Sequence, residues 1–130
     1  MIVVDASALI DVLVGSGQAI DRLVGEDLAA PHLLDAEVGN VIRRKTLGGE
    51  LDVRLGRQAL EDLGRLEILR YAHTPLLSRA WELRENLTVY DALYIALAEA
   101  LDAPLITLDA RMAAARGLRA TIEVIPTIRR

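Results

Sequence analysis

Residues 1–13 read MIVVDASALIDVL, and they decide the fold. Ile2, Val3 and Val4 are a short unbroken run of β-formers, the pattern of a strand covered on both faces in a parallel sheet. Helical spacing takes over across residues 8–14. Asp5 stands at the junction. Burying an unpartnered carboxylate at a strand end costs on the order of several kcal/mol, so Asp5 either caps the following helix or belongs to a site.

The same alternation runs down the chain. Further short apolar strands are expected at residues 28–30, 66–69, 105–108 and 122–125. Helical patterns lie between them at 18–24, 33–47, 53–63, 76–85, 89–101 and 111–115. Gly15-Ser16-Gly17 and Gly48-Gly49 separate consecutive helices, and Pro31, Pro75, Pro104 and Pro126 fall at element edges. Strands alternating with helices predict an α/β fold, a central parallel sheet of about five strands between helical layers. With 130 residues and no repeat, linker or low-complexity tract, one domain spanning 1–130 is expected.

Composition narrows the chemistry. Hydrophobic residues make up 52% and aromatics 3%, without Phe, so Leu, Ile, Val and Ala must build the core. Cysteine is absent, which excludes disulfides, thiolate metal ligands and thiol nucleophiles. The net charge of −4 provides no long-range positive field toward nucleic acid, leaving only local basic patches. No signal-peptide pattern opens the chain and no run approaches the roughly 18 apolar residues of a membrane span, which predicts a cytoplasmic protein with no membrane partner.

In open parallel sheets ligands bind beyond the carboxyl ends of the strands. Asp5 ends the first strand and Asp109 ends the fourth, and each can equally serve as a helix N-cap. Glu37 falls inside the apolar stripe of helix 33–47, between Leu33 and Val41, with Asn40 and Arg44 along the same edge. Pairing with Arg44 is its ordinary explanation. Asp91 opens a helix that is apolar nearly all round, where Thr88 and Asp91 also spell a capping box. Four such acids crowded together would repel unless a cation joined them. Oxygen-only donors favour Mg²⁺ or Mn²⁺ over Zn²⁺, and carboxylate-held Mg²⁺ suits phosphodiester hydrolysis by an activated water.

In chain order, VVDASALI (3–10), LLDAEVGNVIRR (33–44), TVYDALYIALAEA (88–100) and PLITLDARM (104–112) resemble the VapC-type PIN-domain toxin ribonucleases. The ordered set carries the resemblance, not any one stretch. It implies a PIN-like three-layer α/β/α sandwich, Mg²⁺ or Mn²⁺ as cofactor, endonucleolytic cleavage of RNA, a homodimer, and a cognate antitoxin protein that inhibits the toxin. The implied catalytic and metal-holding acids are Asp5, Glu37, Asp91 and Asp109, with Ser7 and Thr107 as polar helpers. No further acid follows closely after Asp109 to support a second metal. A mean hydropathy of +0.29 is consistent with apolar surface at a dimer interface.

Asn40, Arg44 and Arg111 are the candidates for RNA contact, with Arg43, Lys45, Arg116, Arg129 and Arg130 as further basic surface. His32 and His73 read as structural, Trp81 and Tyr94 as core, and Tyr90 as either core or a base-stacking residue. A receiver domain would need a late Lys, yet Lys45 is the only Lys; a haloacid-type phosphotransferase would need Asp where Ser7 stands. The non-enzymatic alternative is a catalytically silent PIN-like interaction or dimerisation module, against which the four retained acids weigh.

Overall fold

A computed structural model describes residues 1–127. Five strands, β1 (Ile2–Val4), β2 (Leu28–Pro31), β3 (Ile68–Tyr71), β4 (Leu105–Thr107) and β5 (Ile122–Val124), form one sheet in the order β3-β2-β1-β4-β5. Every neighbouring pair is parallel, with Val3 opposite Ala29 on one side and Leu105 on the other. The helices are α1 (Ala6–Val14), α2 (Ile20–Leu23), α3 (Leu33–Leu47), α4 (Val53–Arg65), α5 (Leu77–Glu82), α6 (Val89–Leu101) and α7 (Ala110–Ala114). Helices α1, α3 and α4 pack on one another, as α5 does on α6. The sandwich expected from the alternating pattern is the fold observed.

β1 is the centre of the sheet, and Ile2, Val3 and Val4 are all buried. The chain builds outward from β1 through β2 to β3, then returns to place β4 on the opposite flank of β1. The connections leaving β1 and β4 therefore diverge, opening a crevice above the carboxyl ends of these two strands. Asp5 and Asp109 end those strands. α6 lies across the sheet against β1 and β2, and all seven residues from Ala92 to Ala98 are buried. Each large apolar side chain covered in this way contributes about 1.5–3 kcal/mol relative to exposure, so α6 and β1 anchor the acids at their ends.

The structure moves several element boundaries. The third strand begins at Ile68 rather than at residue 66, because the Leu66 N–H closes α4 on the carbonyls of Asp62 and Leu63. It extends to Tyr71, with the Arg70 guanidinium held by both carboxylate oxygens of Asp35 at 2.7 and 2.8 Å. The helix expected over 76–85 is a 3₁₀ turn at Thr74–Leu76 followed by α5, which ends at Glu82. Bonds three residues apart, Leu83 to Ala80 and Arg84 to Trp81, tighten the chain beyond it. α2 is shorter than expected because Asp11 takes the Ala19 N–H at 2.8 Å, ordering the preceding turn. Trp81 is not in the core: α5 buries its neighbour Ala80, and one residue further round the helix the indole is 63% exposed under the Arg84 guanidinium.

Candidate active site

Asp5 is the fixed point of the crevice. It caps α1, accepting the Ala8 N–H at 3.1 Å on Oδ1, which also accepts the Ser7 hydroxyl at 2.6 Å. The Thr107 hydroxyl donates to Oδ2 from the end of β4. Ser7 Oγ in turn accepts the Leu108 N–H at 2.9 Å, and Thr107 Oγ1 the Asp109 N–H at 3.0 Å. The cap and the site are thus one arrangement, and the two hydroxyls tie the ends of β1 and β4 together. Burial pushes the Asp5 carboxyl above its ordinary range despite these bonds, and the Asp91 charge adds to the rise.

Glu37 reaches the crevice from α3, half-buried, and accepts the Tyr94 hydroxyl of α6 at 2.6 Å. Burial raises its pKa, the Tyr94 bond opposes the rise, and the Asp91 and Asp5 charges reinforce it. Its partner is therefore Tyr94; among the described residues no ion pair joins it to Arg44, which is exposed on the outer edge of α3. Asp91 sits in the first turn of α6, where Thr88 caps the helix by accepting the Asp91 N–H at 3.2 Å. Burial, then the Asp109 charge, hold the Asp91 carboxyl up, while Thr88 and Arg111 pull against them.

Asp109 differs from the other three. It caps α7 through the Arg111 N–H at 3.0 Å, and the Arg111 side chain returns to grip both its oxygens, Nε to Oδ1 at 3.1 Å and Nη2 to Oδ2 at 2.7 Å. Arg111 accordingly holds this carboxyl below its usual range. Asn40 and Arg44 are exposed, as are Arg43 and Arg116, whereas Lys45 pairs with Glu50 at 3.5 Å. Arg129 and Arg130 lie outside the described residues. His32 is exposed at the start of α3 and Tyr90 is 60% exposed beside Asp91. Tyr94 is core, as expected, but its hydroxyl has the further task on Glu37. The available signal was its position three residues after Asp91, on the same helical face, together with the need of a buried phenol for a partner.

The mutual charge effects place the four acids in one neighbourhood, yet among the described residues no three acids or histidines gather closely enough to form a ready metal cage. The donor set still fits a hard divalent ion. It is oxygen-only, Asp5, Glu37 and Asp91 carry charge that burial and their neighbours destabilise, and Mg²⁺ ordinarily takes one or two carboxylates and completes its shell with water. A groove of about 400 Å³ lies along α1 and the turn after it, lined by Ser7, Ile10 and Ser16 with Val41 of α3 and Leu108 beyond β4 among others.

A parallel sheet with an acidic crevice at its switch point is the arrangement of the PIN domain, and the profile of that family matches residues 2–118. The chain belongs to the PIN-domain family. Within it, the chain is 48% identical to Ribonuclease VapC1 of Mycobacterium tuberculosis over 128 residues, covering 95% of this chain and 96% of that one, which places it among the VapC ribonucleases. PAE2754 from Pyrobaculum aerophilum superposes with a TM-score of 0.70 at 30% identity, over 94% of this chain and 82% of that one. A chain of a toxin–antitoxin complex from Klebsiella pneumoniae shares the fold, with a TM-score of 0.68 at 20% identity over 98% of this chain and 100% of that one.

Proposed function

We propose that this VapC-family chain is a Mg²⁺- or Mn²⁺-dependent endoribonuclease and the toxin of a type II toxin–antitoxin pair. The observation that carries the reading is the state of Asp5, Glu37 and Asp91: each is raised by burial, and among the described residues none is ion-paired. A lone structural carboxylate can be met by N–H donors, as Asp11 is by Ala19, but three acids whose charges act on one another around a single crevice call for a cation. Asp5, Glu37, Asp91 and Asp109 are the residues to hold the ion, directly or through water. When bound, the ion supplies a water activated near neutral pH and a clamp on a phosphate oxygen.

The chain's own groups do the rest. Asp5, fixed by three donors, sets the position of everything bound at the end of β1. Tyr94 donates to Glu37 Oε1 and so orients this carboxylate, leaving Oε2 for the ion or its water. Asn40, one turn along α3 from Glu37, and Arg44 beyond it are exposed and suited to substrate phosphates. The test is cleavage of host RNA by purified protein, with 5′ ends mapped. Cutting is expected with Mn²⁺ or Mg²⁺ and none after EDTA; no cutting with metal, or cutting that survives EDTA, would refute the reading. A silent interaction module would show no saturable Mn²⁺ binding.

Two protein partners belong to the same proposal, a second copy of the chain and a cognate antitoxin. Leu47, Val53 and Leu55 around the α3–α4 turn, Trp81 on α5 and Tyr90 in the first turn of α6 are large apolar side chains left exposed. The groove beside Ser7 suits apolar side chains of an inhibitor, and the acids suit its basic ones. Light scattering on eluted peaks is expected to give a dimer for the chain alone at micromolar concentration and a larger complex with its cognate antitoxin. A monomer in both samples would contradict the assignment.

A further inference from the structure

The geometry points to Arg111 as a built-in rival of the metal: its guanidinium occupies both oxygens of Asp109, so the ion gains this fourth carboxylate only when Arg111 lets go. The inference rests on the metal-dependent reading above and adds a residue that sets how tightly the ion is held.

The pairing is bidentate, with contacts of 2.7 and 3.1 Å, and the Arg111 backbone N–H adds a third donor to the same carboxylate. Such a fork satisfies the oxygens that a cation would otherwise use. The Arg111 side chain is 84% exposed, and among the described residues its guanidinium bonds only to Asp109. Its charge also reaches Asp91. Among the described residues Asp109 is consequently the one acid of the four whose charge is already matched, whereas Asp5, Glu37 and Asp91 have no such counter-ion. Displaced from Asp109, the guanidinium remains tethered at the mouth of the crevice, placed to take a phosphate oxygen. Arg111 thus acts on the metal through Asp109, as a positioning residue, and alternates between an acid of the site and the substrate.

The experiment is a Mn²⁺ titration followed by electron paramagnetic resonance of the free ion, with no RNA present, on wild type, Arg111→Gln, Arg111→Lys and Asp109→Asn. Removing the guanidinium is expected to tighten Mn²⁺ binding about two- to fivefold, the range in which exposed ion pairs act. Arg111→Lys should fall between, since an ammonium keeps the charge but loses the fork. Asp109→Asn should weaken binding and shrink the gain from Arg111→Gln when the two are combined. RNA affinity measured with Ca²⁺ should fall in Arg111→Gln while metal affinity rises, a split that a purely structural role does not produce. Mn²⁺ affinity that is unchanged or weaker in Arg111→Gln overturns this inference and leaves the metal-dependent reading standing. Absence of saturable Mn²⁺ binding by wild type sinks both.

Discussion

Asp5→Asn and Asp91→Asn should each lower RNA cleavage by a factor of about 10³ or more while the chain still folds. The magnitude follows from removing charge that an ion-held water and phosphate require, where single electrostatic contributions are worth several kcal/mol. Asn keeps the shape of Asp and caps a helix as well, so the Ala8 N–H contact that starts α1 survives the change at residue 5. Ser7 and Thr107 hydroxyls can rotate to suit an amide. Loss of activity with loss of the circular dichroism signal would say nothing about the site; loss with the fold intact is the expected result. Activity within about tenfold of wild type in either variant would remove that acid from the reaction.

The same substitutions carry an opposite prediction for stability without metal. Burial is the first cause holding Asp5 and Asp91 above their ordinary values, and neighbouring acids add to it. Between the ordinary and the raised pKa the folded chain binds the proton that the unfolded chain has released, so stability falls as pH rises through that window. Above the raised pKa the full penalty is present. The Asn variants lack it, so in EDTA their melting temperatures should exceed that of wild type at pH 7 and lose the advantage on acidification toward the ordinary carboxylate range. Added Mn²⁺ should restore the order in favour of wild type, because it binds and stabilises only the intact cluster.

What could be read from the sequence was whatever continuous burial writes into it. β1 is apolar along its whole length and α6 along its buried middle, Ala92 to Ala98, and both were expected at the residues where they stand. The acids were legible for the complementary reason, since a charge beside such runs needs a partner. Features that depend on one chain segment meeting another were not. Leu66 is as apolar as a strand residue, and only its bonds to Asp62 and Leu63 make it the end of α4. Trp81 belongs by composition to a core, but a helix as short as α5 buries the small Ala80 instead. The Asp109–Arg111 pair escaped because residues two apart do not face each other on a helix. At an N-cap they can, since the capping residue is still extended and its side chain turns over the first turn.

Away from the crevice, Arg79→Ala should destabilise the fold by about 2–4 kcal/mol, the cost of stranding a mostly buried carboxylate. Arg79 donates to Glu99 from Nε at 2.7 Å and Nη2 at 3.0 Å, and the same Nη2 donates to the Gly117 carbonyl at 2.6 Å. The Glu99 side chain is 9% exposed and also accepts the Arg119 N–H at 2.7 Å. One guanidinium therefore joins α5, α6 and the loop that leads into β5. Burial pushes the Glu99 carboxyl up, but Arg79 and the Arg119 N–H more than offset it, leaving its pKa below the ordinary value. A lowered acid contributes stability that is present above its unfolded pKa and lost as pH falls through the folded one. In Arg79→Ala that contribution is gone and burial alone remains. The gap in melting temperature between wild type and variant should therefore be roughly 10 °C near neutrality and narrow as acidification takes the pH through the lowered pKa of Glu99 and the carboxylate is protonated. A gap under about 2 °C, or one that stays constant with pH, would mean that water replaces the guanidinium and that this pair does not hold the layers together.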